Sequence, residues 1–107
     1  MLQSVMKDHP MVIIQKEIGE SSWFGFSLVI RPGVSLTRDE LVKKLNILGF
    51  EVRPIVAGNF AKNEVVKYFN SEMAGPLVNA EHIDGNGLFV GNHHYPIPDA
   101  FDALVQL

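Results

Sequence analysis

Apolar residues recur along this chain with two periods, and the changes between them mark its elements. In "MVIIQKEI" (11–18) Met11, Ile13 and Gln15 fall on one face and Val12, Ile14 and Lys16 on the other. Such alternation in a β-branched run predicts a strand. Gly19-Glu20-Ser21-Ser22 follows as a turn. "WFGFSLVIR" (23–31) predicts a second, more apolar and more central strand. Gly25 marks a bulge or a close approach of other atoms. A core role for Phe24 or Phe26 is the expectation here, in preference to stacking on a ligand. Pro32-Gly33 closes the strand.

The period then lengthens. Thr37 and Glu40 in "TRDE" form a capping box, and Leu41, Val42, Leu45 and Leu48 make one helical stripe. Gly49 suits the residue after the helix, and Lys43 and Lys44 fall toward solvent. "FEVRPI" (50–55) predicts a third strand. A right-handed crossover follows if strands two and three are parallel neighbours. Residues 61–69 predict a short helix with Val65, Val66 and Phe69 apolar, Asn63 being an alternative cap. Gly75-Pro76 breaks the chain. Leu77–Ile83 predicts another short helix ended by "DGNG" (84–87), and "LFV" (88–90) a brief strand. Pro98–Leu107 predicts a final helix with Phe101, Leu104 and Val105 inward. The order β-β-α-β-α-α-β-α predicts an α+β fold, a small, largely antiparallel sheet of three to four strands covered by helices.

At 107 residues the chain suits a single domain spanning residues 1–107. With 47% hydrophobic and 20% charged residues it is globular. A net charge of −3 and the absence of a Lys/Arg cluster argue against a nucleic-acid partner. The absence of cysteine excludes disulfides, thiolate zinc sites and a cysteine nucleophile. No apolar run suits a membrane span, the N-terminus lacks signal-peptide features, and a cytoplasmic location is the expectation. Strand one starts near the N-terminus and the last helix is still apolar at Leu107, so the chain reads as a piece of something longer.

Candidate chemistry is sparse. The histidines are His9, His82, His93 and His94. Adjacent His93 and His94 on an extended segment point to opposite faces and are poor partners for one metal, so no metal site is expected. Scattered carboxylates, Ser21-Ser22 without a nucleophile elbow, and the lack of GxGxxG or Walker motifs leave no catalytic centre. "RPIVAGNF" (53–60) is the unusual stretch. Arg53 is either an edge-strand residue whose head reaches water, with Pro54 blunting the edge, or an anion clamp beside the Gly58-Asn59 turn. In the second reading the "GNF" and "GNHH" loops converge on one phosphate or sugar hydroxyl. A guanidinium held instead by Glu51 counts against it.

"SSWFGFSLVI", "LVKKLNILGFEVRPIVAGNF" and "LVNAEHIDGNGLFVGNHH" together resemble, in order and spacing, the C-terminal region of the DegT/DnrJ/EryC1/StrS sugar aminotransferase family. The resemblance runs from about Val12 to Leu107. It is strongest to the nucleotide-sugar enzymes of lipopolysaccharide biosynthesis, including 4-keto-6-deoxyglucose 3-dehydratases. It implies the small domain of a fold type I pyridoxal-phosphate (PLP) enzyme, inactive alone, with the cofactor held by a missing large domain. No lysine here is assignable to the Schiff base, so this fragment is expected to bind no cofactor. Carried over, Arg53, Asn59, His82, Asn92 and His93 would face the nucleotide-sugar substrate. His82 stands where dehydratase relatives have arginine, which leans the reading toward aminotransferases. The alternative is an independent α+β binding or oligomerisation module. An isolated small domain would expose an apolar patch, so a homodimer is expected.

Overall fold

The computed structural model describes residues 2–107. Its four strands are β1 (Val12–Ile14), β2 (Gly25–Ile30), β3 (Val52–Pro54) and β4 (Gly87–Gly91), ordered β1-β2-β4-β3. All neighbours are antiparallel, with Ile13 opposite Val29, Ser27 opposite Phe89, and Phe89 opposite Arg53. Four helices accompany the sheet: α1 (Leu2–Met6), α2 (Arg38–Ile47), α3 (Val78–Asn86) and α4 (Pro98–Val105). The α+β class and the antiparallel sheet therefore agree with the sequence reading.

Period-two alternation sorts the sheet into two unlike faces. Val12, Phe26, Leu28, Ile30, Leu88 and Val90 are buried on one face, together with Leu2 and Met6 of α1, Leu41 and Leu45 of α2, and Leu104 of α4. The Phe26 and Phe101 rings meet edge to face at 6.1 Å. The other face carries Ile13, Ser27, Val29, Phe89 and Arg53 and stays largely open, with α3 over one end. There Val78, His82 and Ile83 border a groove of about 740 Å³ with Ile13, Ser27 and Val29.

The capping box is present as read. Thr37 Oγ1 accepts from the Glu40 N–H, and Glu40 accepts from the Thr37 N–H and hydroxyl. Those hydrogen bonds, the backbone one first, hold the Glu40 carboxyl below its ordinary value. Gly49 takes a positive φ of 86°, which lets the chain leave α2 without a Cβ clash.

Several expectations are corrected. Helix α1 was not foreseen; Leu2 and Met6, four apart, bury it beside α4. Strands two and three are not neighbours, because β4 inserts between them and leaves them parallel across it. The helix expected over 61–69 is two 3-10 turns, Phe60–Lys62 and Glu64–Tyr68, capped by Asn59 and Asn63. Neither turn buries a residue, so nothing packs this segment into a regular helix. "DGN" (84–86) continues α3 instead of ending it. Leu48 and Val105 are exposed, Leu48 as the cap residue after α2 and Val105 as the last residue of α4.

Phe26 is a core residue, whereas Phe24 is 91% exposed. Strict alternation with Phe26, Leu28 and Ile30 would place Phe24 inward. Trp23 adopts a positive φ of 50°, and the alternation of the strand does not extend back to Phe24. Its indole packs on Phe26 at 5.5 Å, and Phe24 turns out to the open face.

Candidate functional site

On the open face Arg53, Phe89 and Ser27 lie in one row across β3, β4 and β2. A depression of about 370 Å³ is lined here by Phe24, Glu51, Arg53, Phe89, Gly91 and Asn92. Its floor is aromatic, since the Phe24 and Phe89 rings stack at 5.8 Å. Gly25 lies under the Phe89 ring, and a Cβ there would overlap that ring and come within 2.6 Å of the Val90 carbonyl oxygen. This is the close approach that a glycine inside a strand signals.

Arg53 is exposed, and both its Nε (3.2 Å) and Nη2 (2.7 Å) donate to Glu51 Oε1. The hydrogen bond and charge of Glu51 raise the arginine further above its ordinary range. The guanidinium is thus turned to Glu51, and an anion clamp with Asn59 and the "GNHH" loop is not built. Asn92 Nδ2 donates to the Trp23 carbonyl at 2.8 Å, and Asn92 Oδ1 accepts from the His93 N–H. Asn92 therefore ties the loop after β4 to the entry of β2. His93 lines an adjoining hollow with Glu51, Asn92, Asp99 and Ile97.

The other two expected site residues lie elsewhere. Asn59 is buried at 8% exposure. Its Oδ1 accepts from the Ala61 N–H and its Nδ2 donates to Glu81, so both ends serve the fold. Lys62 completes this junction through Glu81 (2.6 Å) and Asp84 (3.2 Å). Hydrogen bonds from Lys62 and then Asn59 lower the Glu81 carboxyl. The left-handed residue of the turn is Ala57 at φ 53°, not Gly58. Gly58 is needed for closeness, since its Cβ would sit 2.9 Å from the Asp84 Cα. His82 Nε2 donates to the Ile30 carbonyl at 2.8 Å, while Nδ1 faces the Asn86 amide at 3.3 Å. That hydrogen bond fastens α3 to the end of β2. The two Gly-Asn loops do not converge.

His93, His94 and Tyr95 cluster in place of diverging, with ring centroids 4.0–5.2 Å apart, because the chain bends at residues 94–95. Among the described residues no three ligating side chains gather in a metal-binding arrangement. No helix there is long and apolar enough to cross a membrane. Sequence reasoning missed Phe24, Phe89 and Glu51 as lining residues. The signal available was Gly25, whose partner only strand pairing reveals.

No family model matches the chain. It is 48% identical over 106 residues, 98% of its length, to the GDP-4-keto-6-deoxy-D-mannose 3-dehydratase of Yersinia pseudotuberculosis. It is 52% identical over 102 residues, 94% of its length, to the enzyme of that name from Escherichia coli O55:H7. A solved structure of the E. coli GDP-4-keto-6-deoxy-D-mannose 3-dehydratase with bound hydrated PLP superposes with a TM-score of 0.91 over 98% of the chain, at 48% identity. These relatives are dehydratases, against the lean toward aminotransferases drawn from His82. The chain is similar to them along nearly its whole length and spans about a quarter of theirs, 27% of the Yersinia protein and 26% of the E. coli one.

Proposed function

We propose that this chain is the C-terminal small domain of a PLP-dependent GDP-sugar 3-dehydratase. It forms part of the sugar pocket, and a larger domain holds the cofactor and does the chemistry. The observation that carries this reading is the combination of 48–52% identity and a TM-score of 0.91 over nearly all of this chain with coverage of only a quarter of the relatives. The setting that the resemblance suggests is cytoplasmic synthesis of surface-polysaccharide sugars.

The residues present do not fit PLP itself. The cofactor's aldehyde requires a reactive side chain, and its pyridine nitrogen requires a partner. All six lysines are exposed. Lys62 is engaged by Glu81 and Asp84, Lys67 by Glu64, and Lys44 by the Leu107 carbonyl. His9 and His82 are committed to backbone groups. The chain's contribution is therefore to bind and orient substrate. Arg53, Asn92 and His93 are assigned to the substrate side, and Asn59 and His82 to holding the loop and α3 in place.

The test is complementation. The E. coli relative is expressed without the quarter that matches this chain and is assayed for loss of GDP-4-keto-6-deoxy-D-mannose, with PLP, alone and after co-expression with this chain. Activity only in the combined sample is expected. Activity of this chain alone, or the absence of a complex between the two parts, would overturn the reading. A PLP absorbance band abolished by replacing a single lysine of this chain would do the same.

A further inference from the structure

We propose that Phe24, Phe89, Arg53 and Glu51 form a subsite for a neutral, hydroxyl-rich sugar ring. This rests on the reading above and gives the sugar a place on this chain. The first observation is how Phe24 is presented. A non-glycine residue at positive φ is uncommon and persists where its surroundings hold it. Trp23 is held by three contacts. Its N–H donates to Ser21 Oγ at 3.1 Å, its carbonyl accepts from Asn92 Nδ2 at 2.8 Å, and its indole is anchored on Phe26. Phe24, the next residue, displays its phenyl ring on the open face, where regular alternation would have buried it.

The second observation is what surrounds that ring. Phe89 stacks against it and is itself able to lie flat because Gly25 has no side chain. Arg53 neighbours Phe89 across the β3–β4 pairing and shares Glu51 Oε1 through two of its nitrogens. The pair leaves unused donors on Arg53 and a second acceptor oxygen on Glu51. A paved aromatic surface beside a joined donor and acceptor matches a sugar. Its C–H face lies on the rings, and its neighbouring hydroxyls both donate and accept. A phosphate matches less well, because Glu51 at 2.7 Å neutralises Arg53 and repels a second anion. The volume of about 370 Å³ also suits one monosaccharide.

The experiment is NMR titration of this chain, following the Phe ring and arginine Nε–H signals. Methyl α-D-mannopyranoside, GDP and inorganic phosphate are added separately. The mannoside is expected to give saturable shifts at Phe24, Phe89 and Arg53 with a Kd of about 1–10 mM. Phe24→Ala and Glu51→Gln should each weaken it about fivefold, the loss of one net contact, with the remaining spectrum unchanged. The proposal is overturned if the mannoside gives no saturable shift, if both variants bind it as the parent does, or if only GDP or phosphate moves Arg53. Complementation that succeeds while mannoside binding fails would sink this subsite and leave the domain reading standing.

Discussion

His9 should make the stability of this domain fall as the pH drops through the range where histidine titrates. The residue is 6% exposed, just beyond α1. Its Nδ1 faces two backbone donors, the N–H of Met11 (3.3 Å) and of Val12 (3.4 Å). Its other nitrogen is bonded to the Val105 backbone. Its own carbonyl accepts from Arg31 Nε at 2.8 Å. The ring thus joins the start of β1 to the end of α4, and the His9 carbonyl ties the same residue to the end of β2. Nδ1 is an acceptor in this arrangement, so protonation there would set a donor against two donors. Burial is the main cause that lowers its pKa below 6.5, with the Arg31 charge acting in the same direction and the Val105 bond opposing.

Between that lowered value and the unfolded value the unfolded chain binds more protons. Stability is therefore full above about pH 6.5 and declines as pH falls through the folded value. The slope for one proton is at most about 1.4 kcal/mol per pH unit. Glu40 and Glu81 have lowered carboxyl values and titrate below this window. Replacing the ring, as in His9→Ala, leaves one buried and one part-buried N–H group without their acceptor. At 1–3 kcal/mol for an unsatisfied buried group, and with long shared hydrogen bonds, a loss of about 2 kcal/mol is expected at pH 7.5. His9→Asn should recover part of it, since its Oδ1 can accept from the N–H two residues on. Urea unfolding at pH 7.5, 6.5 and 5.5 measures both effects. Parent stability that does not change across this range, or His9→Ala with the parent's slope, would refute the reasoning.

Other consequences are open to similar measurement. Gly25→Ala should cost about 1–3 kcal/mol, because the new methyl meets the Phe89 ring and the Val90 carbonyl, and a fully stable variant would contradict that packing. Leu28→Ala, at a fully buried position on the central strand, should cost about 2–5 kcal/mol in urea unfolding. Thr37→Ala should cost about 1 kcal/mol by removing the capping box, and an unchanged midpoint would show that tertiary packing alone holds α2. Sedimentation at micromolar concentration should show dimers, since Phe24, Val56, Tyr68, Met73 and Val78 are all exposed; a monomer at every concentration would contradict this.

The amino-acid sequence by itself determined the parts whose causes are local. Thr37 and Glu40 start α2 because they sit three residues apart, Gly49 ends it, and the β2 stretch is a strand because Phe26, Leu28 and Ile30 alternate with smaller or partly exposed residues. The four strands and the α+β class follow from such signals. Long-range pairing decided the rest. Nothing near residues 87–91 states that they will separate β2 from β3, because that choice is made by two long-range ladders, Val29 to Gly87 on one side and Val52 to Val90 on the other. Asn59 and His82 looked like ligand groups, but Glu81 and the Ile30 carbonyl take their hydrogen bonds, and those partners meet them only in the folded chain. Arg53 kept its exposed place but found Glu51, two residues away on the same side of the strand. Phe24 shows the limit most directly. Its alternation with Phe26 points inward, yet in the folded chain it lies outward against Phe89 of β4, a neighbour more than sixty residues away in sequence.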